Sequence, residues 1–345
     1  MPYQVTIQPS GHQFSVDDDE TILEAALREG FALPYGCRNG ACGACKGRVV
    51  SGQLDYGTHS PNALKDEEKA QGRALFCRAR PLSDMVIEAK EIGAARDIVV
   101  KTLPCRVEKL ERRADDVMVM KIKLPANERL QYLAGQYIDF QLKDGKTRSY
   151  SLANPPHDDA LLELHIRHVP GGLFTDQVFT SLKERDILRL KGPLGSFFIR
   201  EESDKPMIFI AGGTGFAPIK AMLEHAFAEH TDRELVLYWG VRSLKDLYMA
   251  ELPQQWLAEQ PNFSFIPVLS NPEPGDAWQG RTGFVHEAVL ADFADLSGYQ
   301  VYACGAPVMI DSARDSFVKT RRLPEDEFFA DAFVYAADAE RTDAA

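Results

Sequence analysis

Four cysteines carry the strongest chemical signal in the chain. Cys37, Cys42 and Cys45 crowd into nine residues, and Cys77 stands apart from them. Their spacing, C-x4-C-x2-C…C, is that of a 2Fe-2S ligand set. Four thiolates must converge on two irons, so the loop has to wrap tightly around the bridging sulfides. Gly36, Gly40, Gly43 and Gly47 permit backbone angles and close approaches that other residues resist. Their N–H groups can then donate to the sulfurs and help set the potential. Ala41 and Ala44 keep the shell small. Four cysteines can also bind zinc, but zinc sites usually pair C-x2-4-C knuckles, and this loop does not.

Three further groups of residues suit dinucleotide chemistry. In HVPGGLFT, the Gly171-Gly172 turn meets a helix start expected at Thr175, and free N–H groups at a helix start bind phosphate. In AGGTGFAP (211–218), Gly212, Gly213, Thr214 and Gly215 lie between an expected strand and an expected helix. Such a turn lets the backbone approach a phosphate, although the pattern is not G-x-G-x-x-G. Cys304-Gly305-Ala306-Pro307 also closes a strand and opens a helix. By itself each is weak: RSYS (148–151) is a common string, and a lone buried cysteine is usually inert packing. Cys105 has no such setting and is expected in the core.

The elements around these residues fall into three blocks. In the first, YQVTI and HQFSV read as short strands about a Pro9-Ser10-Gly11 turn. Thr21 then precedes Ile22, Leu23, Ala26 and Leu27 at helical spacing, and Gly30 stops the helix. In the second, many short strands divided by Gly, Pro and Asp turns predict a small antiparallel β-barrel with one helix after Gly172. In the third, strands and helices alternate from KPMIFIAGG to DEFFADAF, which predicts a doubly wound parallel sheet. The chain thus reads as multidomain α+β and α/β. The domains expected are 1–90, a linker over 91–102, 103–202, 203–337, and a frayed tail over 338–345.

Length and composition agree. A chain of 345 residues exceeds what one core usually holds. The net charge is −12 with no polybasic run, which argues against nucleic acid or an anionic membrane surface as partner. The N-terminus lacks the basic start and apolar core of a signal peptide. Glycines, Pro218 and Lys220 break the most apolar stretch, from Met207 to Leu223. A cytoplasmic protein is expected, where clustered cysteines serve metal or redox chemistry rather than disulfides.

With these residues in place, resemblances add roles. The first block resembles a plant-type ferredoxin domain, which implies a β-grasp fold around the cluster. Residues 103–335 resemble the ferredoxin–NADP reductase superfamily through Arg148-Ser149-Tyr150-Ser151, Gly171-Gly172…Thr175 and Cys304-Gly305…Pro307. That resemblance implies that Arg148 meets an FAD pyrophosphate, Tyr150 packs on the isoalloxazine ring and Ser151 hydrogen-bonds near flavin N5. It implies that Gly171, Gly172 and Thr175 cradle the pyrophosphate and that Cys304 lies beside the nicotinamide. Arg242, in YWGVRSLKDLYM, would touch the adenosine ribose or a 2′-phosphate. NADH is favoured, because only Lys245 follows closely, and NADPH stays open. Asp331 and Phe333 fall where related reductases carry an acid and an aromatic near the flavin, although glutamate is the commoner acid there.

LPYGCRNGACGACKG, LPCRVEKL, IAGGTGFAPIKAMLEH, LPQQW…IPVLS and VYACGAPVMIDSA resemble, more closely, the CDP-6-deoxy-3,4-glucoseen reductase family over nearly the whole chain. What this implies is an electron-transfer reductase. Hydride passes from NAD(P)H to FAD, and single electrons leave through the cluster to a partner protein. The partner implied is a dehydrase of 3,6-dideoxyhexose synthesis. The same domain order serves aromatic-ring oxygenases and monooxygenases, so a reductase component of those is the alternative. A redox-responsive regulatory protein is the alternative of another class; intact motifs for three cofactors argue against it. A free-flavin reductase would need no cluster.

Overall fold

A computed structural model describes residues 2–93, 98–143 and 145–334. The expected linker is therefore described only at its two ends, and the expected tail lies outside the described residues. The chain forms two compact units: Met1–Ile98 together with Asp331–Ala345, and Val99–Ala330. Among the described residues no helix is long and apolar enough to cross a membrane.

The first unit is built on β1 (Tyr3–Gln8), β2 (Gln13–Val16), α1 (Ile22–Arg28), β3 (Lys46–Ser51), β4 (Leu54–Asp55), α2 (Asp66–Ala70), β5 (Arg73–Leu75), β6 (Arg80–Pro81) and β7 (Met85–Glu88). Five strands form one sheet in the order β2-β1-β7-β3-β5, with β1 and β7 parallel, and β4 pairs with β6 separately. α1 starts where the sequence places it. Thr21 accepts from Glu24 N at 3.3 Å while Glu24 accepts from Thr21 N at 2.9 Å, a reciprocal cap of the first turn. Ile22, Leu23, Ala25 and Ala26 turn inward onto Val5, Ile7 and Phe14. The glycine-rich loop runs between α1 and β3, and Cys77 follows β5.

The second unit begins with β8 (Lys101–Ala114), β9 (Val117–Lys123), β10 (Tyr137–Gln141), β11 (Thr147–Ser151), β12 (Leu162–Arg167), α3 (Leu173–Thr180) and β13 (Ile187–Leu194). Their order is β11-β10-β13-β8-β9-β12. A single bridge between Leu152 and Leu164 brings the two edges together. Leu103, Val107, Ile122, Phe140, Leu164 and Phe174 fill the interior. α3 starts at Leu173, two residues before the expected Thr175, because Gly172 is already extended at φ −72° and ψ 121° and serves as its cap.

The unit continues with β14 (Met207–Gly212), α4 (Phe216–Ala228), β15 (Leu235–Val241), α5 (Glu251–Glu259), β16 (Phe263–Leu269), β17 (Arg281–Thr282), α6 (Val285–Asp292), β18 (Gln300–Gly305) and α7 (Pro307–Arg321); β19 (Phe328–Ala332) follows. The sheet order is β17-β16-β15-β14-β18-β19, with β14 through β17 and β18 parallel where they pair. The order reverses between β14 and β18. A ligand crevice is expected at the carboxyl ends of those two strands. Tyr248–Ala250 form a turn that leads into α5.

Candidate functional site

The four cysteines converge in the first unit. Cys45 and Cys77 are buried, and Cys37 and Cys42 are half-buried. They fall into two thiol–thiol hydrogen-bonded pairs, Cys37 with Cys42 and Cys45 with Cys77, and Cys42 lies close enough to Cys45 to act on its charge. Backbone N–H groups of Asn39, Ala41 and Cys42 donate to the Cys37 sulfur, and those of Ala44 and Cys37 to the Cys42 sulfur. Cys37 N stands 3.4 Å from Cys42 Sγ. The hydrogen bond from Cys42 draws the Cys37 thiol down to about 6 despite burial. The bond from Cys77 and then burial push Cys45 well up. Among the described residues no group of three or more His, Cys, Asp or Glu side chains surrounds a single ion position. Two dithiol pairs inside a cage of amide donors suit two metal ions carrying bridging sulfide charge.

The glycines of the loop have separate jobs. Gly40 and Gly43 take φ +81° and +75°, the left-handed region. A Cβ on Gly47 would lie 2.2 Å from the Phe76 ring, so this glycine lets Phe76 pack under the loop beside Cys77.

In the second unit β11 alternates. Arg148 and Tyr150 are half-buried, Ser149 is exposed, and Ser151 is buried. Tyr150 leans on Phe174 and Phe140, with ring centroids 5.5 and 6.0 Å away. Burial raises its phenol above the ordinary value. Arg148 donates to the Thr147 carbonyl at 2.8 Å, and among the described residues no carboxylate pairs with it. Its guanidinium charge is therefore available to an anion. The Gly171-Gly172 turn precedes α3, whose first turn has no side-chain cap. Gly171 sits at φ +80°, and a Cβ on Gly172 would lie 2.5 Å from Thr175 Oγ1. The Thr175 hydroxyl points inward: it donates to Val169 O at 2.9 Å and accepts from Val169 N at 3.2 Å. It ties the turn together, and the donors left for a phosphate are backbone N–H groups.

The carboxyl ends of β14 and β18 meet almost without side chains. A Cβ on Gly215 would sit 2.1 Å from the Cys304 carbonyl, and one on Gly305 would sit 3.0 Å from Gly212 Cα. Gly213, at φ +54°, opens the 3-10 turn that leads into α4. Pro307 starts α7 as its first residue. Cys304 is fully buried, Thr214 is buried and Arg242 is exposed. These glycines leave the close backbone approach that a dinucleotide diphosphate needs.

Asp331 and Phe333 were expected near a flavin. Asp331 is buried and belongs to the unit of the cysteine loop, with its carboxyl oxygen 3.4 Å from where a Gly36 Cβ would stand. Burial first, and then the charge of Cys37, push that carboxyl up to about 7. Phe333 is half-buried.

Sequence reasoning missed a polar seam on β12. Glu163, His165 and Arg167 share one face of this strand. His165 lies 2.7 Å from the Tyr248 hydroxyl and 3.0 Å from Glu163. Glu163 in turn meets Lys121 at 3.2 Å and Lys220 at 3.3 Å. Arg167 Nη1 stands 2.8 Å from where a Gly213 Cβ would be. Its Nε is 3.1 Å from Asp116 Oδ2 but is not aligned for a hydrogen bond. The alternation in LELHIR was readable, but polar residues at every second position of a strand usually mark a solvated face.

Comparison with known proteins assigns the cofactors. Residues 5–82 match the 2Fe-2S iron-sulfur cluster binding domain, 104–199 the oxidoreductase FAD-binding domain and 209–315 the oxidoreductase NAD-binding domain. The molecule is thus an iron–sulfur flavoprotein oxidoreductase, in which electrons pass from NAD(P)H through FAD to a 2Fe-2S cluster. The chain is 40% identical over 334 residues to the CDP-6-deoxy-L-threo-D-glycero-4-hexulose-3-dehydrase reductase of Yersinia pestis, covering 97% of this chain and 99% of that one. It is also 40% identical to the reductase component of phenol 2-monooxygenase from Pseudomonas sp. (strain CF600), covering 98% and 96%. The structure of the ferredoxin reductase in carbazole 1,9a-dioxygenase superposes with a TM-score of 0.69 at 26% identity, covering 97% and 99%. The chain belongs to the ferredoxin-fused reductases of the ferredoxin–NADP reductase superfamily, the family that holds the hexulose-dehydrase reductases.

Proposed function

We propose that this protein is the reductase of a cytoplasmic dehydrase that removes oxygen from a nucleotide-linked deoxyhexulose, in 3,6-dideoxyhexose synthesis. The observation that carries the reading is the likeness to the Yersinia reductase, which runs through all three cofactor regions rather than one. Equal identity to a phenol monooxygenase component supports a second reading, in which the acceptor is an oxygenase. Fold and cofactors do not select between these acceptors.

Within either reading we assign Cys37, Cys42, Cys45 and Cys77 to the cluster, in a β-grasp domain over residues 1–90. Residues 103–202 form a β-barrel for FAD; the bridge between Leu152 and Leu164 supports closure of its sheet. There Arg148 and the Gly171-Gly172 turn take the pyrophosphate, with Thr175 holding the turn. Tyr150 packs on the flavin, and Ser151 bonds near N5. Residues 203–337 form a doubly wound nucleotide domain. Gly212, Gly213, Thr214, Gly215, Gly305 and Pro307 take the dinucleotide, Arg242 the adenosine end, and Cys304 lines the nicotinamide. FAD supplies the change from a hydride pair to single electrons; the side chains supply alignment and exclude water. Phe333 is assigned to the flavin edge.

The test is reconstitution. The purified protein should carry about two irons and one FAD per chain, and NADH should drive electrons into a purified dehydrase of this class. Reduction of a phenol oxygenase in its place, with none of the dehydrase, would transfer the assignment to the second reading. Zinc without acid-labile sulfide would refute the cluster.

A further inference from the structure

β12 divides its side chains between two environments. Leu162, Leu164 and Ile166 enter the core of the antiparallel sheet, while Glu163 and His165, both buried, face the nucleotide-binding part of the same unit. From His165 a continuous chain of contacts leads to the glycine turn. The Tyr248 hydroxyl lies 2.7 Å from His165 Nδ1. The Tyr248 ring stands edge-on to Trp239, at 5.3 Å and 87°, and edge-on to Phe216 at 6.3 Å. Trp239 and Phe216 stack at 4.0 Å. Trp239 Nε1 donates to Gly213 O at 3.0 Å, and Phe216 is the residue after Gly215.

The polar end of this chain is fully partnered. His165 Nε2 faces the Glu163 carboxylate at 3.0 Å, so that nitrogen carries the proton and Nδ1 is left to accept from Tyr248. Lys121 and Lys220 neutralise Glu163, and Lys220 also donates to Ala153 O at 3.0 Å and pairs with Glu224 at 2.9 Å. A buried polar set of this kind adds little stability over apolar packing of equal volume, but hydrogen bonds fix a register that apolar contacts leave free to slide.

We propose that Tyr248 is a positioning residue: held by His165, which Glu163 orients in turn, it registers the Gly213–Gly215 turn against the flavin strands, and so sets the alignment of nicotinamide with flavin. This rests on the flavin and nucleotide assignments above. Tyr248 is not among the residues assigned to either cofactor. It acts through Trp239 and Phe216, which hold the two ends of the turn. Hydride transfer is the step that feels it, because a displacement of about 1 Å lowers such a rate by roughly a hundredfold.

Three variants of the full chain, loaded with FAD, test this. Tyr248→Phe removes the hydroxyl, His165→Leu removes its acceptor, and His165→Asn keeps an oxygen near the Nδ1 position. Hydrogen exchange of the Trp239 indole N–H is read before NADH is added, and stopped-flow flavin reduction afterwards. In Tyr248→Phe and His165→Leu the indole should exchange about tenfold faster. Their limiting reduction rate should fall about tenfold or more, while half-saturating NADH and FAD content stay within about twofold. His165→Asn should restore both readouts. Unchanged exchange and rate in Tyr248→Phe, even with a lowered melting temperature, would overturn the proposal, as would a His165→Asn no better than His165→Leu. A wild-type protein that binds FAD but is reduced by neither NADH nor NADPH would refute the site assignments, and this proposal with them.

Discussion

At Gly215 there is no room for even one added carbon. A methyl group there would meet the Cys304 backbone carbonyl at 2.1 Å, and a carbonyl held in a parallel ladder cannot rotate away as a side-chain tip could. Gly215→Ala should therefore push the ends of β14 and β18 apart. The expected loss is roughly 1–3 kcal/mol in denaturant unfolding, with NADH-driven flavin reduction reduced much more than FAD content. Unchanged reduction in a normally folded variant would contradict the crevice as the nucleotide site. At this scale the sequence was informative where chemistry restricts residue type. Thiol spacing located the four cysteines, and glycine runs located the turns, because few other residues tolerate those positions. Thr175 shows the limit: its place in the motif was readable, but the inward direction of its hydroxyl depends on Val169, six residues back. Tyr248 gave no signal, and the alternation that holds His165 is one that usually marks a solvated face, so their contact across the fold was not legible.

Among the elements, β12 has a consequence for pH. Its His165 faces Glu163 and Tyr248 and feels the charges of Lys220 and Arg113, while Lys121 pairs with Glu163. Burial lowers its pKa below 6.5; Glu163 opposes the shift, and Lys220 and Arg113 add to it. As pH falls, the unfolded chain takes up this proton before the folded one does. The contribution to stability is thus complete above 6.5 and is lost as pH falls through the folded value. Urea midpoints measured between about pH 7.5 and about pH 5.5 should drop more steeply in wild type than in His165→Asn, which has no titrating ring. Parallel slopes would mean that His165 is not held neutral. Most elements were legible, since α1, β14 and α7 announce themselves by period, cap and glycine. β4, β6 and α2 were not, being two to five residues long and set by tertiary pairing rather than by pattern.

For the whole molecule, the division into two units implies separable failures. Cys77 lies in the first unit, and the flavin and nucleotide elements up to Ala330 lie in the second. Cys77→Ser should lose the cluster's visible absorption yet keep NADH oxidation by a dye that accepts directly from flavin. Dye reduction that falls in step with iron content while FAD stays bound would count against that modularity. The first unit has one further property: Asp331, which follows the whole of Val99–Ala330 in sequence, belongs to it and lies against Gly36. On a ribosome, then, the cysteine loop emerges long before Asp331, the residue that comes to lie against it. Translation of the intervening stretch takes on the order of ten seconds or more. For that interval the Gly36 side of the loop lacks the Asp331 carboxylate, a window in which iron and sulfide would meet the loop without it. A chain ending at Ala330 should keep that window open permanently and surrender its iron to a chelator faster than the full-length protein does.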